Sequence, residues 1–377
     1  MEDHPGAEQL VLLTPGPACT SQRVKDALLR GDLCHREPEF TDLLARLRAA
    51  IPAALNLAAT HESILLTGSG TAAMETALTS SVRAGRSALV ISNGVYGERL
   101  TKIAGSHGIT VHELHPDAEG IDRWTTPVTA EAVSRALAAH PDVDAVVCVH
   151  HETTTGLLNP VKEIGDIVAA TEAVFVVDAI SSAGSEEQDL AEVRADLVCG
   201  SSNKGLHGLP GAAFVLLSPK GAERAAQVPP HGTYLSAAAH LNVQRRNDVL
   251  FTPAVQIYYA LDEAIAEYQD AGGFAARTKL YRERAALVRA GFERLGLRPL
   301  VDPAHRANSV TTLHLPDGVT YERLHDAMKN LGYVIYAGQG HLATDFFRIC
   351  TVGEIPWPRL EQLEATLARA IEAARAG

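Results

Sequence analysis

The sequence predicts an α/β protein with a large domain built on a mostly parallel sheet and a smaller C-terminal α+β domain. Three observations lead to this prediction. Apolar runs alternate with segments of helical spacing in the middle of the chain, the pattern changes after Pro253, and 377 residues exceed the size of one ordinary domain. We place the large domain at residues 12–270 and the smaller one at residues 271–377.

The sheet is predicted from five apolar runs of strand length. Each is bounded by polar residues or glycine and is apolar throughout, as expected of strands that are covered on both faces. They lie at residues 87–92, 144–150, 173–178, 196–201 and 212–218. Segments with helical spacing lie between them, at residues 97–107, 129–139, 160–171 and 190–194. Such alternation favours a parallel sheet with helices on both sides.

The C-terminal part has a different pattern. A helical stretch at residues 254–271 is broken by Gly272-Gly273 and resumes at residues 274–295. Shorter segments follow: strand-like runs at 309–315, 333–337 and 346–352, and helices at 321–331 and 358–374. This order predicts an α+β unit that is separate from the large sheet.

Composition and charge exclude several classes of protein. Hydrophobic residues make up 46% and charged residues 21%, which excludes a disordered or fibrous protein. The formal charge of −12 argues against nucleic acid or anionic lipid as partners, and no apolar stretch is long enough to span a membrane. The five cysteines are scattered and no signal peptide is visible, so we expect a cytoplasmic protein. Since no metal-binding motif occurs, we also expect no catalytic metal.

Three segments carry candidate chemistry. Ser69, Gly70 and Thr71 open a helical run and offer backbone N–H groups to a phosphate, although an ordinary capped helix has the same pattern. Asp178 ends an apolar strand, where it suits a protonated heterocyclic nitrogen or caps a helix. Lys204 follows another strand within a loop of small residues, where it suits an amine nucleophile, whereas most lysines are simply solvated. Taken together, a phosphate site, an acid and a lysine in this order indicate a pyridoxal phosphate enzyme of the aspartate aminotransferase type.

Longer segments make the resemblance specific. The chain resembles the class V aminotransferases, and within them the 2-aminoethylphosphonate–pyruvate transaminase group, from about residue 12 to about residue 371. The matching segments are LLTPGP (12–17), CHREPEF (34–40), TGSGTAAMETAL (67–78), SNGVYGER (92–99), HETTTGLLNP (151–160), VDAISSAG (177–184), SSNKGLHGLPG (201–211), FTPAVQ (251–256) and FRICTVGEI (347–355). The resemblance implies fold-type I, with pyridoxal 5′-phosphate as cofactor and an N-terminal segment that contributes to the active site.

The resemblance also implies residue roles around the cofactor. Lys204 would hold the cofactor and move the proton between Cα and C4′, and Asp178 would keep the ring nitrogen protonated. Tyr96 would stack on the ring, although a core tyrosine is the alternative, and Thr154 would bind the 3′ oxygen. Other residues are implied to bind the cofactor or its phosphate: Ser69, Gly70, Thr71, Asn203 and Thr252, the last from the neighbouring subunit of a homodimer.

On the substrate side, the resemblance implies that Arg348 binds the carboxylate of pyruvate or alanine. Arg36 is the candidate for the phosphonate, beside the turn that contains Gly16, with an ion pair to a neighbouring glutamate as its alternative. Arg245 and Arg246 are further candidates. The chain departs from the family in the segment HLNVQRRNDVL (240–250) and at Gln339, where a lysine is expected.

The implied reaction is transfer of the amino group of 2-aminoethylphosphonate to pyruvate, which gives phosphonoacetaldehyde and L-alanine. Two alternatives remain open at this point. A related class V aminotransferase would use another small donor, either phosphonoalanine or alanine or serine with glyoxylate. A pyridoxal phosphate lyase or desulfurase would need a reactive cysteine, for which Cys350 is the one candidate.

Overall fold

The computed structural model describes residues 10–376. The strands are β1 (Val11–Leu12), β2 (Glu62–Gly68), β3 (Ser87–Ile91), β4 (Thr110–Leu114), β5 (Val143–Val149), β6 (His151–Glu152), β7 (Leu157–Leu158), β8 (Val174–Asp178), β9 (Leu197–Ser201), β10 (Gly211–Leu217), β11 (Val310–His314), β12 (Tyr333–Val334), β13 (Tyr336–Ala337) and β14 (Phe346–Cys350). The α-helices are α1 (Gln22–Asp26), α2 (Pro38–Ala54), α3 (Gly70–Thr79), α4 (Val95–Ser106), α5 (Ala130–Ala139), α6 (Val161–Val168), α7 (Pro219–Gln227), α8 (Ala237–Gln244), α9 (Val255–Asp270), α10 (Gly273–Arg294), α11 (Tyr321–Asn330), α12 (Trp357–Glu361) and α13 (Leu363–Ala376).

A seven-stranded sheet forms the centre of the molecule, with strand order β2-β10-β9-β8-β5-β3-β4. Strand β10 runs antiparallel to both of its neighbours, and every other adjacent pair is parallel. All five predicted runs form strands of this sheet. The prediction of a mostly parallel sheet is therefore confirmed.

Helices cover both faces of the sheet, because successive residues of each buried strand point to opposite sides. In β3, Leu89 and Ile91 join a core with helices α2, α5, α6 and α9, whereas Ala88 and Val90 join a core with α3, α4 and α8. Full burial of one such aliphatic side chain contributes about 1.5–3 kcal/mol. The continuous apolar runs in the sequence thus correspond to strands that lie between two hydrophobic cores.

The C-terminal part contains a three-stranded antiparallel sheet with order β11-β14-β13, packed against helices that include α10, α11 and α13. The sequence predicted a single strand at residues 333–337, and the structure differs. Tyr333 pairs with Val11 in a parallel bridge to β1, and Tyr336 pairs with Arg348 in β14. An apolar run indicates burial but does not indicate which strand pairs with it. The change of pairing partner from β1 to β14 within residues 333–337 was therefore not predictable.

The N-terminal strand joins the C-terminal core. Val11 and Leu13 are buried among residues of α10, α11 and α13, and the carbonyl of Leu13 accepts a hydrogen bond from the N–H of Cys350. The chain then turns through residues 14–17 toward Lys204. This segment therefore links the C-terminal sheet to the lysine loop. Among the described helices, none has the length and apolar character needed to cross a membrane.

Candidate active site

A cavity of about 170 Å³ lies at the carboxyl ends of β2, β8 and β9, which point to the same edge of the sheet. Ligands in open α/β sheets bind at this edge. The lining residues are Ser69, Gly70, Thr71, Met74, Tyr96, Arg99, Leu100, Ile103, Val149, His151, Asp178, Ile180, Ser181, Ser201, Asn203 and Lys204. The three segments that the sequence singled out therefore meet in one place.

Lys204 is the nucleophile candidate in this cavity. Its Nζ donates a hydrogen bond to the carbonyl of Pro15. The pKa of Lys204 is lowered to about 8, mainly by burial and also by the charges of Arg348 and Arg99, which act against the opposing charge of Asp178. A substantial fraction of the amine is thus neutral near physiological pH, which is the form that attacks a carbonyl.

Asp178 is the acid candidate. Burial raises the pKa of its carboxyl group to about 6, with a further contribution from the nearby charge of Glu152. Oδ1 accepts the N–H of Ile180 at 2.9 Å, and Oδ2 has no hydrogen-bond partner within residues 10–376. A buried carboxylate with one free oxygen is costly unless a cation or donor meets it, and a protonated ring nitrogen would supply both.

The first turn of α3 is the phosphate candidate. Ser69 is the N-cap residue by backbone geometry, yet its side chain accepts no capping hydrogen bond. The N–H of Ala72 donates to the carbonyl of Ser69 at 2.9 Å. The hydroxyls of Ser69 and Thr71 and the N–H groups of Gly70 and Thr71 have no partner in the described chain and are available to an anion beside the positive end of the helix dipole. A side chain at Gly70 would meet Ile180, since an added Cβ would lie 2.6 Å from its Cδ1. These facts favour a ligand-binding turn over a simple capped helix.

Tyr96 and Arg99 both reach the cavity from the first turns of α4. The guanidinium carbon of Arg99 lies 4.6 Å from the centroid of the Tyr96 ring. Arg99 makes no ion pair with any residue that the structure describes. Sequence reasoning placed Tyr96 here and missed Arg99, because an arginine on a helix usually faces solvent and only the fold turns this one inward.

His151 is a second residue that the sequence did not assign. It lines the cavity, and burial lowers its pKa to about 3, so the ring is neutral. Nδ1 lies 3.3 Å from the carbonyl oxygen of Ser181, which makes Nδ1 the protonated nitrogen. Nε2 is buried without a hydrogen-bond partner in the described chain and is left as an acceptor.

Thr154 lies beside the cavity without lining it. Its hydroxyl donates to the buried carboxylate of Glu152 and accepts the N–H of Val95 at 3.0 Å. Glu152 also accepts the N–H of Gly97 and so holds the start of α4, which carries Tyr96. Contact of Thr154 with the cofactor stays a prediction.

Arg348 is buried close to Lys204, on the central strand of the C-terminal sheet. Its Nε donates to the carbonyl of Ala337 at 2.9 Å, and Nη1 donates to the carbonyl of Thr153 at 3.0 Å and to Gln339 Oε1 at 3.2 Å. Nη2 has no partner among residues 10–376. Gln339, the residue that departs from the family, therefore contacts the predicted carboxylate-binding arginine.

Arg36 and Thr252 do not line the cavity. Together with His35 and Arg246 they border a separate, open depression on the surface. Arg36 forms no ion pair within the described chain, and Arg245 pairs instead with Glu62 at 3.0 Å. The structure of one chain thus leaves Arg36 and Thr252 outside the site that holds Lys204.

Gly16 contacts the site through Lys204. It has φ +144°, and an added Cβ would lie 2.7 Å from Lys204 Cε. Asn203 lines the cavity, where its Oδ1 accepts the hydroxyl of Ser201 at 2.9 Å. Cys350 is buried and burial raises its pKa to about 12, so its thiol is not a reactive nucleophile.

Comparison with known proteins identifies the family. The profile described as "Aminotransferase class-V" matches residues 22–348. The chain belongs to the class V aminotransferases. A relative from Burkholderia lata, named 2-aminoethylphosphonate–pyruvate transaminase 2, is 36% identical over 92% of this chain and 91% of its own length. One from Syntrophobacter fumaroxidans, named 2-aminoethylphosphonate–pyruvate transaminase, is 34% identical over 92% of each chain. The solved structure of a subgroup IV aspartate aminotransferase from Thermus thermophilus has a TM-score of 0.86 and 28% identity, and the match covers 97% of this chain and 99% of that one.

The cofactor of this class V aminotransferase is pyridoxal phosphate, which confirms the sequence prediction. The residues of the cavity fit it. The free oxygen of Asp178 suits a ring N–H, the uncapped turn at Ser69 suits a phosphate, and the amine of Lys204 suits a carbonyl. The arrangement therefore has the three anchors that this cofactor needs.

Proposed function

We propose that this aminotransferase moves the amino group of 2-aminoethylphosphonate to pyruvate and produces phosphonoacetaldehyde and L-alanine. The names of the relatives from Burkholderia lata and Syntrophobacter fumaroxidans support this choice of substrates. The single observation that carries the chemistry is the cavity in which Lys204, Asp178 and the start of α3 converge.

Lys204 acts first as the attachment point and then as the base. The bound cofactor supplies a carbonyl that condenses with amines and a ring that takes up the electron pair of the adjacent carbon. Nζ of Lys204 removes the proton from the carbon that carries the amino group of the substrate, and its lowered pKa suits it to both giving and accepting that proton. Asp178 would stabilise a positive charge at the ring nitrogen, and Tyr96 would pack against the ring.

The substrates are anions, and two arginines meet them. Both the phosphonate of the donor and the carboxylate of pyruvate must occupy the site in turn, since the reacting carbon lies next to Lys204 in each half-reaction. Arg348 binds the carboxylate through its free Nη2, and its other nitrogens are already held in place by Ala337 and Thr153. Arg99 adds positive charge on the side of the cavity where α4 begins.

We further propose a homodimer in which Thr252 and Arg36 of one subunit reach the site of the other. Their position on an open surface depression, away from the cavity of their own chain, supports this arrangement. Thr252 would then contact the cofactor phosphate and Arg36 the phosphonate. The depression contains two exposed arginines, Arg36 and Arg246, against one carboxylate, Asp248, and this excess of positive charge suits an interface that binds anions.

A panel of amino donors tests the substrate assignment. Enzyme loaded with cofactor is mixed with pyruvate and one donor, and the alanine formed is measured. We expect 2-aminoethylphosphonate to give the highest kcat/KM, ahead of phosphonoalanine, L-serine and L-aspartate. If an ordinary amino acid exceeds 2-aminoethylphosphonate, the phosphonate assignment is wrong, while the aminotransferase class stands.

A variant of Lys204 tests whether this lysine binds the cofactor covalently. Lys204→Ala should fold, bind cofactor without a covalent bond and form no alanine from any donor. Borohydride reduction followed by mass spectrometry of peptides should find the cofactor on Lys204 in the wild type alone. Reduction of the cofactor onto another lysine in the wild type would contradict the assignment of the nucleophile.

A further inference from the structure

Two histidines and an aspartate come together at the end of the sheet that lies away from the cavity. His112 is in β4, His140 follows α5 as its C-cap residue, and Asp142 immediately precedes β5. His151, which lines the cofactor cavity, follows the opposite end of β5. The cluster therefore has no part in holding the cofactor or the substrates.

These three side chains bring possible metal-binding atoms close together. One nitrogen or oxygen from each of the three residues lies within 4.8 Å of the other two. His112 Nε2 lies 3.6 Å from Asp142 Oδ2, which is too far for a hydrogen bond. Two ligands of a tetrahedral ion at about 2.1 Å lie about 3.4 Å apart, so this pair needs almost no movement.

The two imidazoles provide further support. His112 Nε2 is buried and has no hydrogen-bond partner in the described part of the chain. The rings of His112 and His140 stack with centroids 3.7 Å apart and planes 17° apart. Stacked rings direct their nitrogens side by side, so the ring of His140 must turn before both imidazoles can bind one ion. Partial exposure of His140 gives it room to turn its nitrogen toward the other two ligands.

We propose that His112, His140 and Asp142 bind one divalent transition-metal ion. Two imidazole nitrogens and one carboxylate oxygen form a mixed ligand set that suits Zn²⁺ and does not suit Mg²⁺ or Ca²⁺, which prefer oxygen. All three residues are partly exposed, so water completes the coordination. The bound ion ties the edge strand β4, which pairs with β3 alone, to the turn before β5. The site stabilises this edge of the sheet and leaves the reaction unchanged.

Titration with Zn²⁺ tests the proposal. Cofactor-loaded enzyme is freed of metal. Every protein carries Cys34→Ser, because this cysteine is exposed and a thiolate is a competing ligand for zinc. Calorimetry should give one saturable site per chain, and Zn²⁺ should raise Tm. His112→Ala and His140→Ala should each weaken binding by at least about tenfold and abolish the shift in Tm. Their unchanged transamination rate shows that the variants fold.

His325→Ala is the matched control. His325 lies 3.0 Å from Asp326, so it forms a histidine–carboxylate pair without a second histidine. This variant should bind Zn²⁺ as the parent does. The proposal is overturned if the parent has no saturable site below about 1 mM, or if His325→Ala loses as much affinity as His112→Ala. Undiminished binding by the double variant His112→Ala/His140→Ala would overturn it as well.

Discussion

Replacing Asp178 with asparagine should raise the stability of the apoprotein and lower the activity of the cofactor-loaded enzyme. The carboxyl pKa is raised from 3.8 to about 6 by burial, so the folded state disfavours the ionised form. At one tenfold step per 1.36 kcal/mol, this shift costs the apoprotein about 3 kcal/mol at pH 7. This loss of folding stability is absent below pH 3.8, grows between pH 3.8 and pH 6 as the carboxyl group of the unfolded chain ionises, and is constant above pH 6. Asparagine keeps the shape and the bond from Ile180 and carries no charge.

Catalysis should change in the opposite direction. The cofactor ring nitrogen loses a hydrogen bond to a charged partner, which is worth about 1.5–3 kcal/mol, or about ten- to 150-fold in kcat. The test compares urea midpoints of wild-type and Asp178→Asn apoproteins at pH 4 and pH 7.5, at equal protein concentration, together with kcat of the loaded enzymes. The variant should gain stability at pH 7.5 and little at pH 4. A variant apoprotein that is less stable at pH 7.5 would refute the reasoning that Asp178 is an uncompensated buried charge.

Three further predictions concern other parts of the site. Gly16→Ala should slow covalent attachment of the cofactor to Lys204 by about 100-fold, because the new Cβ displaces the Lys204 side chain by about 1 Å. Gly85→Ala is the control: Gly85 also has a positive φ, but a Cβ added there would have no atom within 4 Å, so attachment should be unchanged. Arg348→Lys should raise KM for pyruvate by about tenfold or more, because one ammonium group cannot keep the contacts with Ala337 and Thr153 and also place a donor where Nη2 lies. Cofactor affinity should change little, and equal losses in both would contradict the role of Arg348. Co-expression of Lys204→Ala with Thr252→Ala subunits should restore activity in the mixed dimer, as one of its sites is then intact; no restoration would show that Thr252 serves its own chain.

The cofactor site could be predicted because its main residues have recognisable neighbours in the sequence. Asp178 ends one apolar strand and Lys204 follows another, and parallel topology brings the ends of such strands to one edge. Arg99 and His151 have no comparable sign. An arginine in a helix and a histidine after a strand are common, and only the folded structure shows that both side chains reach the cavity.

The fold was predictable where burial is continuous and less so at the edges. Strand β4 was not predicted, since an edge strand is partly exposed and its residues, Thr110–Leu114, are mostly polar and form no continuous apolar run. The cluster of His112, His140 and Asp142 was likewise invisible to a search for short metal motifs, because its ligands come from separate elements. The expectation of no metal rested on that search and concerned catalysis.

Pairing of the first strand with β12 has a consequence for how the enzyme is made. Val11 leaves the ribosome about 320 residues before its partner Tyr333, which is about 15–65 s earlier at about 5–20 residues per second. During that time the segment that holds Pro15 against Lys204 has no sheet to anchor it. The lysine loop therefore reaches its final surroundings only after nearly the whole chain has been synthesised.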